Sequence, residues 1–134
     1  MQQISSYRDL RVWQQAMQLT TDVYRLTHSF PKHELYGLTN QLRRASISVP
    51  SNIAEGKGHR SDKEFVQFLY HARSSLLEVE TQLQLASRLQ YVSEQQVAKL
   101  LEQSTSVATN LNALINAISR RTESASRRKL TTTD

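Results

Sequence analysis

Hydrophobic side chains recur every three or four residues in four separate stretches of the chain, which is the period of an amphipathic α-helix. The positions in the first stretch are Val12, Ala16, Leu19, Val23, Leu26 and Phe30. Those in the second are Leu35, Leu38, Leu42, Ala45, Val49 and the polar Asn52. Those in the third are Phe65, Leu69, Ala72, Leu76, Val79, Leu83 and Ala86. Those in the fourth are Val97, Leu100, Ser104, Val107, Leu111, Leu114 and Ile118. The pattern predicts helices at approximately residues 7–29, 32–57, 62–89 and 94–120.

Short aperiodic segments separate these predicted helices. Pro31 suits a first helical turn and ends the helix before it. Gly56 and Gly58 favour a left-handed cap after the second helix. Ser61 and Ser93 each begin a capping box at the start of the next helix. Because short turns place consecutive helices side by side in opposite directions, we expect an all-α fold, an antiparallel up-down-up-down four-helix bundle over residues 1–121.

Two of the predicted helices carry an additional apolar stripe. In the first helix it consists of Trp13, Met17 and Tyr24. In the second it consists of Tyr36, Ile47 and Ala54. A surface helix does not need so wide an apolar arc. Either these helices are central in the bundle, or they also bury a face against another chain.

The segment Arg43–Gly56 has helical spacing but many polar residues. We expect Pro50 to kink or loosen this helix, because proline removes one backbone hydrogen bond. The favoured interpretation is an internal polar network in which one of two arginines pairs with one of two glutamates and so fixes the packing. Its members would be Arg43, Arg44, Asn52, Glu55 and Glu78. The alternative interpretation is a polar binding surface.

Length and composition indicate one soluble domain. The chain has 134 residues and no cysteine, which excludes disulfides and thiolate chemistry and fits a reducing compartment. No apolar run approaches the length of a membrane span. The first residues do not combine a charged region with an apolar one, as a signal peptide would. We expect a cytoplasmic protein without a membrane partner.

The positive charge is concentrated at the C-terminal end. Of the net charge of +5, residues 120–134 contribute +3, and the other 119 residues contribute only +2. Residues 122–134 are rich in Ser, Thr, Arg and Lys without an apolar period, which predicts a basic disordered tail. Such a tail either attracts an anionic partner such as nucleic acid or only keeps the chain in solution.

Sequence patterns typical of enzymes are not found. Helical bundles bind two metal ions through Glu-x-x-His pairs, but no glutamate of the chain has histidine three residues later. The histidines are scattered, and no phosphate-binding glycine loop follows a strand. No serine has an evident base and orienting acid. We therefore expect no catalytic residue, no metal and no cofactor.

Several motifs together resemble one bacterial protein family. They are Leu10–Ala16, Phe30–Leu38, Gln41–Ala45, Asn52–Gly56 with Arg60, and Ala72–Glu78. Over roughly residues 8–119 the chain resembles the four-helix bundle proteins encoded within intervening sequences of 23S ribosomal RNA. Ser74 stands where that family commonly has glycine.

The resemblance implies a ring-like homopentamer, whose interfaces would account for the additional apolar stripes. It also implies a similarity in fold to the accessory variability determinant of diversity-generating retroelements, a basic pentamer that binds nucleic acid and a reverse transcriptase.

The sequence and the resemblance together favour a non-enzymatic oligomeric scaffold that binds nucleic acid, RNA above all, as an accessory to the reverse transcriptase of a retroelement. Regular bundle topology would place two basic groups at one end of the molecule, where they would bind phosphate. The expected contacts are Lys57, Arg60, Lys63, Arg120, Arg121, Arg127, Arg128 and Lys129. The alternative is a protein-interaction or structural oligomer that does not bind nucleic acid.

Overall fold

A computed structural model describes the backbone of residues 6–131 and the side chains of residues 6–128. The helices are α1 (Arg11–Thr27), α2 (Leu38–Gly58), α3 (Asp62–Arg88) and α4 (Glu94–Thr131). A 3₁₀ turn precedes α1 at Tyr7–Asp9, and another precedes α2 at Lys32–Glu34. Residues 6–131 contain no strand. The prediction of an all-α fold with four helices is thus confirmed.

The four helices enclose one hydrophobic core. Helix α1 packs against α2 and α4, and α3 packs against the same two helices. The hydrophobic residues with no exposed surface are Ala16, Leu19, Val23, Leu42, Val49, Ile53, Leu69, Ala72, Val79, Leu83, Ala86, Val107 and Leu111. In α2 the buried stripe includes Ile53 instead of Asn52, and Leu35 lies outside the core with 49% of its surface exposed.

Helix α2 begins six residues later than the predicted start at residue 32. The Glu34 carboxylate accepts a hydrogen bond from the Leu38 backbone N–H at 3.0 Å, which satisfies one of the free donors of the first turn. Glu34 also accepts the Tyr91 hydroxyl proton at 2.7 Å. A Cβ atom on Gly37 would lie 2.6 Å from Glu34 Oε1, so only glycine leaves room for this cap.

Pro50 is buried inside α2, and the helix continues past it. Proline has no N–H to donate to the carbonyl four residues earlier, which is that of Ser46. The Thr20 hydroxyl of α1 lies 2.9 Å from the Ser46 carbonyl oxygen and 3.0 Å from that of Ala16. A side chain of the neighbouring helix therefore replaces the donor that Pro50 lacks.

Gly56 lies within α2 and does not form the predicted left-handed cap. A Cβ atom at Gly56 would come within 2.7 Å of Phe68 Cβ and 2.9 Å of Phe65 Cδ1. No described glycine has a positive φ. The absent side chain thus allows α2 and α3 to approach closely, and the helix ends at Gly58.

Helix α4 continues to Thr131, whereas the sequence predicted a disordered tail from residue 122. Residues 122–131 contain neither glycine nor proline, so nothing in them interrupts the backbone hydrogen bonds. They also lack an apolar stripe, which is why periodicity did not indicate a helix here. The side chains of residues 119–128 are all exposed. Residues 119–128 are called the α4 extension. The predicted tail residues 132–134 lie outside the described part of the chain.

Among residues 6–131, none of the helices is both long and apolar enough to cross a lipid bilayer.

Candidate nucleic-acid interface

The end of α4 lies against the start of α3. Arg121 donates two hydrogen bonds to the Asp62 carboxylate, at 3.0 and 3.3 Å, and Thr122 Oγ1 lies 3.4 Å from the same group. This contact places the α4 extension beside the α2–α3 turn. The two basic groups of the sequence therefore share one end of the molecule, which is called the basic end.

The basic side chains at this end differ in their surroundings. Lys57 is partly buried, with its Nζ atom 5.9 Å from the centroid of the Phe65 ring. Arg60, Lys63 and Arg120 are exposed to solvent. Arg121 forms the ion pair with Asp62, although 64% of its side chain remains exposed.

The α4 extension presents arginines at regular intervals. Arg120 and Arg127 are seven residues apart, as are Arg121 and Arg128, so each pair lies on one face of the helix about 10.5 Å apart along its axis. All four side chains are exposed. The side chain of Lys129 lies beyond those that the structure describes.

Carboxylates also lie at the basic end, but two of them have partners. Asp62 accepts from Arg121, and Glu64 lies 3.1 Å from His59 Nδ1. Ser61 caps the start of α3 by accepting from the Glu64 backbone N–H at 3.1 Å, and its hydroxyl donates to the Glu64 carboxylate at 2.9 Å. These contacts reduce the repulsion that the carboxylates would exert on an approaching phosphate.

Three aromatic rings lie next to the basic side chains. The His59 ring stacks on the Phe68 ring with centroids 4.8 Å apart, and the His71 ring meets Phe68 edge-on at 6.4 Å. Sequence reasoning missed this group, because Phe68 has the spacing of a core residue and the histidines looked scattered. The spacing Phe68–His71 on one helical face was the available signal.

The polar network expected in α2 has different partners in the structure. Among the described side chains, no ion pair joins the arginines at 43 and 44 to Glu55 or Glu78. Arg43 instead donates to Thr27 Oγ1 at 2.9 Å, and its guanidinium lies 4.6 Å from the centroid of the Tyr24 ring. The sequence could not indicate this, because both partners are on α1.

Asn52 is bonded within its own helix rather than to a charged group. It donates to the carbonyl and to the hydroxyl oxygen of Ser48, at 2.8 and 2.9 Å. The Ser48 hydroxyl in turn lies 2.8 Å from that of Ser75 on α3. Arg44 and Glu78 line the same cleft between α2 and α3 without forming an ion pair. The network therefore consists of hydrogen bonds without an ion pair: Asn52 bonds within α2, whereas Ser48 joins α2 to α3 and Arg43 joins α2 to α1.

Most residues of the two additional apolar stripes lie on the side where α1 and α2 meet. Thr20 bonds to Ser46 of α2, and Trp13, Met17 and Tyr24 lie on the side of α1 next to Thr20. The helical positions of Ile47 and Ala54 bring them to the same side of α2. Met17 is 42% exposed, and Tyr24 and Ile47 are each 40% exposed. Tyr36, 91% exposed, is separate from them, before the start of α2.

At the other end of α2, the pKa values of Glu34 and Tyr91 differ from those of the free side chains. The hydrogen bond from the Leu38 N–H, and then that from the Tyr91 hydroxyl, lower the pKa of Glu34. The same bond to Glu34 raises the pKa of Tyr91, because losing the phenolic proton would place two negative charges together.

Within the described residues, no group of three or more His, Cys, Asp or Glu side chains is arranged to hold a metal ion.

Comparison with known proteins supports the resemblance found in the sequence. The family described as "23S rRNA-intervening sequence protein" matches residues 8–113. A crystal structure from Bacteroides thetaiotaomicron VPI-5482, described as a protein with unknown function from the S23 ribosomal protein family, has a TM-score of 0.70 and 21% sequence identity. The match covers 78% of this chain and 97% of that one, and shows a shared fold. No curated protein matches the chain. Neither description names a catalytic activity.

Proposed function

Because the chain belongs to the 23S rRNA-intervening sequence protein family, we propose that it is a cytoplasmic, non-enzymatic scaffold that binds RNA. The observation that carries this proposal is the contact of Arg121 with Asp62, which gathers the basic side chains at one end. Arginine and lysine bind phosphate without reading the base sequence, and displaced counterions make such binding sensitive to salt.

The bundle topology supports an assembly in which each subunit contributes its own basic end. Residues that pair between neighbouring helices occur in opposite order along the two helices. Asp62 and Arg73 of α3 pair with Arg121 and Asn112 of α4, and Thr20 of α1 pairs with Ser46 of α2. We infer an antiparallel up-down-up-down bundle from this order. We also infer that the apolar stripes of α1 and α2 form subunit contacts, and the family resemblance implies that the assembly is a ring-like homopentamer. The basic ends would then be repeated around the ring.

The fluorescence anisotropy of a labelled single-stranded RNA tests this proposal. We expect the affinity for this RNA to fall steeply between about 50 and 200 mM salt. In a plot of the logarithm of the binding constant against the logarithm of the salt concentration, the slope should be about −0.7 per phosphate contacted. A double substitution, Arg60→Gln with Lys63→Gln, should weaken binding and make the slope shallower. The matched control, Arg88→Gln with Lys99→Gln, removes two exposed positive charges far from the basic end and should have little effect.

A chain truncated after Ser119 should show a still shallower slope, because the removed residues carry a net charge of +3. Binding that is absent, or insensitive to salt, in both the full and the truncated chain would exclude the nucleic-acid role.

A second candidate function is a protein-interaction or structural oligomer, which the exposed apolar side chains of α1 and α2 favour. The reverse transcriptase of a retroelement is a partner of the RNA-binding scaffold, as the similarity to the accessory variability determinant implies. An assembly that is lost on an apolar-to-charged substitution of Ile47, in a chain that binds no RNA at any salt concentration, would favour the second function.

A further inference from the structure

A cleft of about 570 Å³ lies on the outer side of the first turns of α3, within the basic end. It is lined by Ser61, Lys63, Glu64, Gln67, Phe68 and His71. Clefts of roughly 300–1,000 Å³ are typical of small-molecule sites. Phe68 is the only apolar side chain among these six lining residues.

The position of the Phe68 ring follows from the packing of α2 on α3. Gly56 allows the start of the Phe68 side chain to lie directly against α2. The ring is partly buried, with His59 stacked against it and the edge of His71 beside it. Its aromatic neighbours restrict its movement, so it presents a fixed apolar surface to the cleft.

The charges around the cleft distinguish its inner part from its rim. Glu64 lines the cleft, and a phosphate placed beside its carboxylate would be repelled, although His59 and Ser61 lie within hydrogen-bonding distance of that group. Lys63 is exposed in the lining and can contact a phosphate outside the cleft. The inner part therefore suits an uncharged, flat group, and the rim suits an anion.

We propose that this cleft takes one unpaired nucleobase of the RNA, in contact with the Phe68 ring and within reach of the Gln67 amide. The phosphate next to that base lies at Lys63. The inference rests on the proposed function and deepens it, because it specifies single-stranded RNA. A paired base is stacked within its duplex and cannot enter the cleft without being extruded.

The affinity of the full chain for fluorescein-labelled r(U)12 is compared with that for the r(A)12·r(U)12 duplex. Removing an aromatic ring on which a base stacks is expected to lower the binding affinity by about tenfold. Phe68→Leu should therefore weaken binding to r(U)12 by about tenfold and change duplex binding by less than about twofold. Lys63→Gln should weaken binding to both RNAs, because a phosphate contact does not depend on base pairing.

Tyr36→Leu is the matched control, since Tyr36 is an exposed aromatic residue before the start of α2, at the other end of the molecule. It should leave both affinities unchanged. His71→Ala, at an exposed position, should weaken r(U)12 binding selectively even if Phe68→Leu lowers the thermal stability.

Three results would overturn the inference. The first is that both RNAs bind equally and in a salt-dependent way, and that neither Phe68→Leu nor His71→Ala changes this binding. That result would exclude the base site and leave the proposed function intact. Selective loss with Tyr36→Leu would place the base away from α3. Absence of RNA binding at any salt concentration would exclude both the base site and the proposed function.

Discussion

At the scale of single residues, Glu34 joins two distant parts of the chain. Its carboxylate caps α2 through Leu38 and accepts the hydroxyl proton of Tyr91, which follows α3. Tyr91 also packs against Phe30, with ring centroids 5.6 Å apart. One ionised side chain thus determines where α2 begins and holds the turn after α3 against the loop before α2.

The lowered pKa of Glu34 predicts a pH dependence of stability. A carboxyl whose pKa is lower in the folded state stabilises the protein above its unfolded pKa, about 4.3, and this contribution disappears as the pH falls through the folded pKa. Glu34→Gln should therefore lower the melting temperature more at pH 7 than at pH 3. Circular dichroism melts at both pH values measure this.

The control for that experiment is Glu55→Gln, an exposed glutamate later in α2. It should leave the melting temperature unchanged at both pH values. A loss of stability in Glu34→Gln that is as large at pH 3 as at pH 7 would contradict the electrostatic explanation.

At the scale of the helices, the contact between α1 and α2 depends on a hydroxyl group. Pro50 leaves the Ser46 carbonyl without its helical donor, and Thr20 replaces that donor. The carbonyl lies in a buried turn, since Ser46 has no exposed surface. An unsatisfied buried carbonyl costs roughly 1–3 kcal/mol, so this contact stabilises the pairing of the two helices.

Thr20→Val should therefore destabilise the protein by about 1–2 kcal/mol, because valine has a similar shape and no hydroxyl. In a Pro50→Ala background the same substitution should cost about 1 kcal/mol less, because the N–H of residue 50 can then bond to Ser46. Urea denaturation of the four chains in a double-mutant cycle measures this coupling.

Thr21→Val, which removes a hydroxyl bonded only within α1, is the control and should show no coupling. Additive effects of Thr20→Val and Pro50→Ala would refute the explanation.

Helix boundaries show where sequence reasoning succeeds and where it ends. The periodic apolar positions of α1 and α3 predict their buried faces closely, because burial repeats with the helical turn. The start of α2 could not be predicted in this way, since Glu34 meets a residue 57 positions away. The α4 extension was missed for the opposite reason, because a polar helix leaves no period in the sequence.

At the scale of the whole molecule, two surfaces are separated. The apolar side formed by α1 and α2 carries Met17, Tyr24 and Ile47, whereas the basic end is formed by the α2–α3 turn and the end of α4. The topology made the gathering of basic residues predictable from three short turns. The aromatic group at Phe68 was missed, because the spacing of Phe68 is also that of a core residue and only its spacing from His71 indicated otherwise.

The apolar side predicts self-association. Light scattering at micromolar concentration should give the mass of an assembly of 15.4 kDa chains, five in number if the family resemblance holds. Ile47→Lys should reduce that mass without changing the helical content, because a charged group would be buried in the contact. The control, Leu77→Lys, introduces the same charge at a residue of α3 that is 63% exposed, and should leave the mass unchanged. A monomeric wild-type protein would contradict the prediction.

The contact between Thr20 and the carbonyl of Ser46 also restricts the order in which the sequence can change over evolution. A chain that loses the hydroxyl at position 20 while proline remains at position 50 passes through a less stable protein. A chain that first replaces the proline retains a complete helix and can then accept valine or isoleucine at position 20. The two positions, 30 residues apart in the chain, are therefore expected to change in a preferred sequence of steps.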